Sequence, residues 1–310
     1  MAIISGGLSF STFRFQPPCR SSPRCRLPVS RIRCSGLSAS MDSGDEMRAK
    51  LMEFPYVSAP HRDLMVEMLS SLDTKLGSSL QPCALPPDVQ HFGNPAGTAY
   101  AAMQLRPGVP SSQVDFIVGG WVHSKLPSGG AVNITSLSGY LKSSTDAPNF
   151  RLELIQRIPT SLVMVLDLTP RKDPILHPDH LKTYYEDAQL DRHRQRFHTL
   201  PEVTPYFSSS LYVRALLSPT AIVASIDVSS EEIIRDHVTP IAQELLHFWI
   251  ESCACIERCV GESERAYIRE RDRTIKNTAI EVDLGSSFPR MFGQDIADRV
   301  LTVLKVHHNK

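Results

Sequence analysis

Residues 149–168 read NFRLELIQRIPTSLVMVLDL, and the fold turns on this stretch. Two runs rich in branched and aromatic side chains are separated only by Ile158-Pro159. A gap that short permits a hairpin but not a crossover, so strands at about 149–157 and 160–168 must run antiparallel. Leu162 to Leu166 is an unbroken apolar run, as expected of a strand covered on both faces. Upstream, about 98–106, 113–123 and 131–140 carry the same signature, each bounded by Gly, Pro, Asn, Asp or Ser. Ser128-Gly129-Gly130 reads as a hairpin turn. Downstream, 209–216 and 221–228, divided by Ser218-Pro219, add two strands to the meander and bring the sheet to about seven.

Helical periodicity flanks these strands. Leu64, Met65, Met68, Leu69, Leu72 and Leu76 share one face over 61–77. The proline-punctuated segment from Ser79 to Gly97 reads as a loop, and 178–199 as a polar helix. A long amphipathic helix is expected from Glu231 to about Cys259, kinked or broken near Thr239 by Pro240. A charged helix at 262–278 and a C-terminal one at about 294–307 complete the chain. Helices before, between and after a mostly antiparallel sheet cover both its faces, which predicts an α/β fold, a three-layer α/β/α sandwich.

The first forty residues differ from the rest. They hold six arginines, many serines and no acid before Asp42, the composition of an organelle transit peptide. Pro17, Pro18, Pro23 and Pro28 oppose a long amphipathic helix and favour a plastid leader over a mitochondrial one. Residues 1–40 are therefore expected to be a cleaved chloroplast transit peptide, and 41–310 a single domain. The whole chain has 33 basic and 33 acidic residues; without the six arginines it carries 27 against 33, a net charge of −6. That balance gives no reason to expect nucleic acid or a membrane surface, and no stretch has membrane-spanning length. Cys253, Cys255 and Cys259 lack the Cys-x2-Cys spacing of a metal site and read as free thiols on a helix.

Glycine-rich nucleotide motifs, a P-loop, His-Glu-x-x-His and Gly-x-Ser-x-Gly are all missing. Chemistry is suggested instead by two acids in apolar surroundings, Glu153 and Asp283, since a desolvated carboxyl favours its protonated form and can donate a proton. From pattern alone Glu153 reads more readily as a solvent-facing strand residue paired with Arg151, and Asp283 as a helix cap or loop ion pair. Tyr206, Phe207 and Ser208, beside Pro201 and Pro205, line a pocket for a flat conjugated ligand or simply anchor a loop. His123 and the other histidines read as surface or hydrogen-bonded residues. The basic stretch 191–198 reads as a solvated helix face, or as a dock for an acidic protein.

Beyond these patterns, FRLELIQ at 150–156, Glu53 to Ser58, Leu85 to Val89, Asn133 to Ser136 and Ala147 to Phe150 resemble plant red chlorophyll catabolite reductase. So do Leu200 to Val203, Arg235 to Val238 and Phe288 to Gly293, in order along the chain. The resemblance implies an α/β/α enzyme related to the ferredoxin-dependent bilin reductases, located in the chloroplast stroma. It implies no bound flavin, nicotinamide or metal, with reduced ferredoxin as the external electron donor. The implied reaction reduces the C20/C1 double bond of red chlorophyll catabolite to primary fluorescent chlorophyll catabolite.

By the same resemblance Glu153 and Asp283 act on the substrate, Tyr206, Phe207 and Ser208 belong to a substrate-contacting loop, and side-chain bulk at Leu217 biases the C1 epimer formed. It also implies a homodimer and a ring-opening oxygenase as the partner that supplies the substrate. A non-catalytic tetrapyrrole-binding protein that sequesters a phototoxic catabolite is the alternative, but binding alone gives less reason for two acids in apolar settings.

Overall fold

The computed structural model describes residues 43–308, apart from Cys259 and the side chains of Ser43, Val282 and Asp283. The expected leader over 1–40 lies outside the described residues. The strands are β1 (His91–Gly93), β2 (Ala99–Pro107), β3 (Val114–Lys125), β4 (Ala131–Leu141), β5 (Asn149–Ile158), β6 (Ser161–Thr169), β7 (Val203–Pro205) and β8 (Ile222–Asp227). Among the described residues they form one eight-stranded sheet in the order β1-β2-β3-β4-β5-β6-β8-β7. Every pairing is antiparallel. The helices are α1 (Ser43–Met52), α2 (Ala59–Leu76), α3 (Pro87–Gln90), α4 (Pro178–Leu181) and α5 (Asp191–Phe197). They continue with α6 (Leu211–Leu216), α7 (Thr239–Trp249), α8 (Glu262–Thr278), α9 (Gly285–Phe292) and α10 (Gln294–His308).

Because side chains alternate across a strand, the sheet feeds two cores. On one face Leu152 and Leu154 of β5 and Leu162, Met164 and Leu166 of β6 pack with Leu64 and Met68 of α2 and Leu245 and Trp249 of α7. On the other, Ile155, Val165 and Val122 meet Val89 of α3, Phe288 and Phe292 of α9, and Val300 and Leu304 of α10. The sheet is thus the middle layer of three, as the α/β/α reading expects. Burial on both faces explains why β5 and β6 read as near-continuous apolar runs rather than alternating ones.

The structure corrects the sequence reading at several places. The proline-rich segment 79–97 is not wholly loop, since it contains α3 and the edge strand β1. Residues 209–216 are not a strand: Ser210 caps α6, its hydroxyl accepting the Val213 N–H at 3.3 Å, and Val213 and Leu216 bury one face. Helical spacing together with an N-cap serine outweighs the β-propensity of this short run. The extra strand is β7, three residues long at the sheet edge, where Pro205 has no ladder bond to lose.

Pro240 does not break the long helix. A wider π-type turn spans Ile234–Val238, and the Thr239 N–H reaches the Ile234 carbonyl, so the proline falls in the first turn of α7, where no N–H is required. The helix ends with a second such turn at Ile250–Ala254, short of the expected Cys259. Cys253 is buried and Cys255 exposed, both free thiols; Cys259 lies outside the described residues.

Candidate active site

On the second face of the sheet, polar residues interrupt the apolar core. Glu153 is opposite Ser136 on β4 and Val165 on β6; two residues along, Arg151 is opposite Ser138 and Asp167. Cross-strand partners point to the same side, so Ser136, Glu153, Ser138, Arg151 and Asp167 form a polar ladder across three strands. Glu153 is 0% exposed, which excludes the solvent-facing alternative while keeping its pairing with Arg151. The Arg151 Nη2 donates to Glu153 Oε1 at 2.9 Å.

Asp167, 1% exposed, accepts three bonds. The Ser218 hydroxyl donates to its Oδ1 at 2.5 Å, and the Ser218 N–H to its Oδ2 at 3.1 Å. The Thr169 hydroxyl donates to the same Oδ2 at 3.2 Å. Burial nonetheless pushes the Asp167 carboxyl up to about 6, against the pull of these donors and of the nearby Arg151 guanidinium. An acid so perturbed beside a second buried acid is a marker of functional sites.

Sequence reasoning passes over Asp167 and Ser218. Asp167 carries the same signal as Glu153, an acid flanked by Leu166 and Leu168, but an acid near a strand's end reads as a boundary. The Ser218 contact depends on the chain returning from α6 and has no local signal.

Above the ladder lies a roof built from the C-terminal quarter of the chain. After α8, the chain widens into a π-type turn at Ala279–Leu284, closed by the Gly285 N–H on the Ile280 carbonyl. Ile280 and Leu284 of this turn join the second core with Phe288 and Phe292 of α9. Phe92 and Phe288 meet Phe292 edge-on at 4.9 and 5.2 Å. Such widened turns recur at functional sites, and this one carries Asp283 in its backbone, although the Asp283 side chain is outside the described residues. Beside the ladder a cleft opens between Ser136, Ser138 and Tyr140 on the sheet and Ile280, Leu284 and His308 above. Its empty space, open mouth included, is about 610 Å³.

The other sequence-predicted residues gather unevenly around this face. Tyr206 is half-buried against the second core and its N–H bonds the Val223 carbonyl at 3.0 Å, extending the β7–β8 pairing. Ser208 is buried, whereas Phe207 is 78% exposed, so the loop anchors itself through its flanks and leaves one aromatic ring in solvent. Leu217 packs on the same core, next to the Ser218 that binds Asp167. His123 belongs to the opposite face: its Nδ1 meets Asn133 Oδ1 at 2.7 Å and its ring stacks on Tyr56 at 3.8 Å. In the basic stretch, Arg192 pairs with Glu244 and Arg194 with Asp191, while His193 and Phe197 turn inward.

The family model of red chlorophyll catabolite reductase (RCC reductase) matches residues 60–306. The chain is 50% identical over 271 residues to red chlorophyll catabolite reductase, chloroplastic, of Arabidopsis thaliana, covering 85% of both chains. It is 39% identical over 318 residues to red chlorophyll catabolite reductase 1, chloroplastic, of Oryza sativa subsp. japonica, covering 94% of this chain and 96% of that one. Among solved structures it resembles tomato phytochromobilin synthase in complex with biliverdin, with a TM-score of 0.63 over 80% of this chain and 83% of the other. At 18% identity that likeness speaks to the fold alone. A match that spans both cores and the polar ladder leaves one conclusion: the chain belongs to the red chlorophyll catabolite reductase family.

Proposed function

We propose that this protein reduces the C20/C1 double bond of red chlorophyll catabolite, giving primary fluorescent chlorophyll catabolite, with reduced ferredoxin as electron donor. Two ferredoxins supply one electron each, and two protons are added with them, one at C20 and one at C1, so that the double bond becomes single. The family assignment supports the substrate class, and the chloroplastic relatives support a place in the chloroplast, where the stroma is the proposed compartment. Within this reading a homodimer works downstream of a ring-opening oxygenase.

The observation that carries the mechanism is Glu153, wholly buried, paired to Arg151, and the cross-strand neighbour of Ser136 in the cleft that Ile280 and Leu284 of the Asp283-bearing turn help to line. A carboxyl in that position can hand a proton to a substrate carbon in a site from which water is excluded, and then recover it. Glu153 and Asp283 are the proposed proton donors and substrate holders. Tyr206, Phe207 and Ser208 are the proposed contact loop, with exposed Phe207 free to fold over a flat tetrapyrrole. Leu217 is the proposed wall that biases the C1 epimer.

Anaerobic incubation of residues 41–310 with red chlorophyll catabolite and reduced ferredoxin tests the reading. Loss of the red pigment with appearance of a blue-fluorescent product is expected, and none when ferredoxin is omitted. Asp283→Asn is expected to slow turnover far more than it weakens binding. Tight binding without conversion, beside an active control enzyme, would instead support a sequestering protein.

A further inference from the structure

An acid held at 2.9 Å from a guanidinium is biased towards its carboxylate, which is the wrong form for a proton donor. The polar ladder contains a counterweight. Asp167 stands opposite Arg151 on the neighbouring strand, so the half-buried guanidinium that pairs with Glu153 also lies close enough to act on a second buried carboxyl group. The same Asp167 takes both the hydroxyl and the N–H of Ser218, the residue after Leu217. It therefore joins two parts of the site that are otherwise distant in sequence, the strand bearing Glu153 and the turn bearing Leu217.

We propose that Asp167 is a positioning residue of this site: it clamps the Leu217-Ser218 turn to β6 and, by sharing Arg151, sets the charge felt by Glu153. The inference deepens the reductase reading and rests on it for the roles of Glu153 and Leu217. With Asp167 ionised, the charge of Arg151 is divided and a second negative group stands near Glu153; both effects favour a proton on Glu153. With Asp167 neutral, Arg151 acts on Glu153 alone and favours its carboxylate.

Among the described residues, the other charged groups near this face are exposed or paired elsewhere. On β4 the neighbour of Glu153 is Ser136. In the roof, Glu281 is exposed and within 3.8 Å of Lys305, and Asp283 enters through its backbone position. Arg214 of α6 and Arg290 of α9 are exposed. Lys276 pairs with Asp115 at 2.6 Å, and His308 stacks near Phe116.

The first test is an infrared titration of the substrate-free mature chain, following the protonated-carboxyl band that disappears in Glu153→Gln. In Asp167→Asn that band is expected to be lost at a pH lower by roughly one unit, the size of a charge effect at this range. A band that titrates identically in Asp167→Asn and the parent would overturn the sharing of Arg151.

The second test is turnover with red chlorophyll catabolite and reduced ferredoxin. Asp167→Asn is expected to move the alkaline fall of kcat to lower pH by a similar amount. Ser218→Ala, which loosens the clamp and removes one donor that favours ionised Asp167, is expected to change the C1 epimer ratio or raise KM. Equal loss of rate at every pH in both variants, with the epimer ratio unchanged, would reduce Asp167 to a scaffold residue and defeat the proposal. If the parent chain gives no turnover, the reductase reading fails, whereas the infrared titration still decides whether Asp167 governs Glu153.

Discussion

At the residue scale, the buried carboxyls leave a signature in stability as well as in chemistry. Asp167 holds its proton up to about pH 6 in the folded protein but only to about 3.8 when unfolded. Between those values the native state binds more protons, so the Asp167 contribution is most favourable below pH 4 and is lost as pH rises through 6. At 1.36 kcal/mol per unit, ionised Asp167 costs on the order of 3 kcal/mol at neutral pH. Asp167→Asn is therefore expected to gain stability relative to the parent at pH 7.5 and to lose that advantage at pH 4.5. Denaturant melts at the two pH values check this, and an advantage that grows on acidification would contradict it. The cost is borne at a site where Asp167 stands opposite Arg151, the partner of a second buried acid, Glu153, which fits a group retained for function rather than for folding.

At the element scale, the meander from β2 to β6 was legible because each strand announces itself in local composition and each gap is short. What was not legible depends on distant partners. β7 is three residues long and exists only because β8 offers an edge. α6 looked like a strand because capping by Ser210 is a single contact within a β-rich run. Glu153 could be singled out from its neighbours, whereas Asp167 gained meaning only from Ser218, 51 residues away.

Packing between elements gives a further expectation. Gly139 on β4 lies under the Trp249 indole, and a Cβ there would approach Cη2 to 2.4 Å. Trp249 cannot easily retreat, since it is fully buried and its Nε1–H donates to the Pro148 carbonyl at 3.0 Å. Gly139→Ala is expected to destabilise the fold by about 1–3 kcal/mol, the usual cost of overpacking. Thermal melts would show it as a lower Tm, and an unchanged Tm would mean that α7 sits less tightly on the sheet than described.

At the scale of the whole molecule, the roof must stay registered on the sheet for the site to exist. A buried clamp does this. Arg171, just beyond β6, meets Asp272 of α8 through Nε and Nη2 and donates Nη1 to the Thr145 carbonyl at 2.8 Å. Nearby, Lys172 binds both Asp146 and Glu264. These contacts fix α8, and α8 leads directly into the turn at Ala279–Leu284. Asp272→Ala would strand a buried guanidinium and is expected to cost about 3–5 kcal/mol. Denaturant unfolding of the variant checks this, and near-parent stability would mean that the clamp is dispensable. None of this network was visible in sequence, where the arginines and acids of 262–278 look like an ordinary exposed helix.

The most direct measurement of the account as a whole is single-turnover reduction of saturating red chlorophyll catabolite by Glu153→Gln, supplied with reduced ferredoxin. Glutamine keeps the size and hydrogen-bonding capacity of Glu153 but cannot give up a proton as an acid. The account expects substrate binding within a few-fold of the parent and a rate lower by about 100-fold or more, the usual contribution of a positioned general acid. A variant that turns over at the parent rate would contradict it, because the buried acid at the centre of the sheet would then have no part in the chemistry.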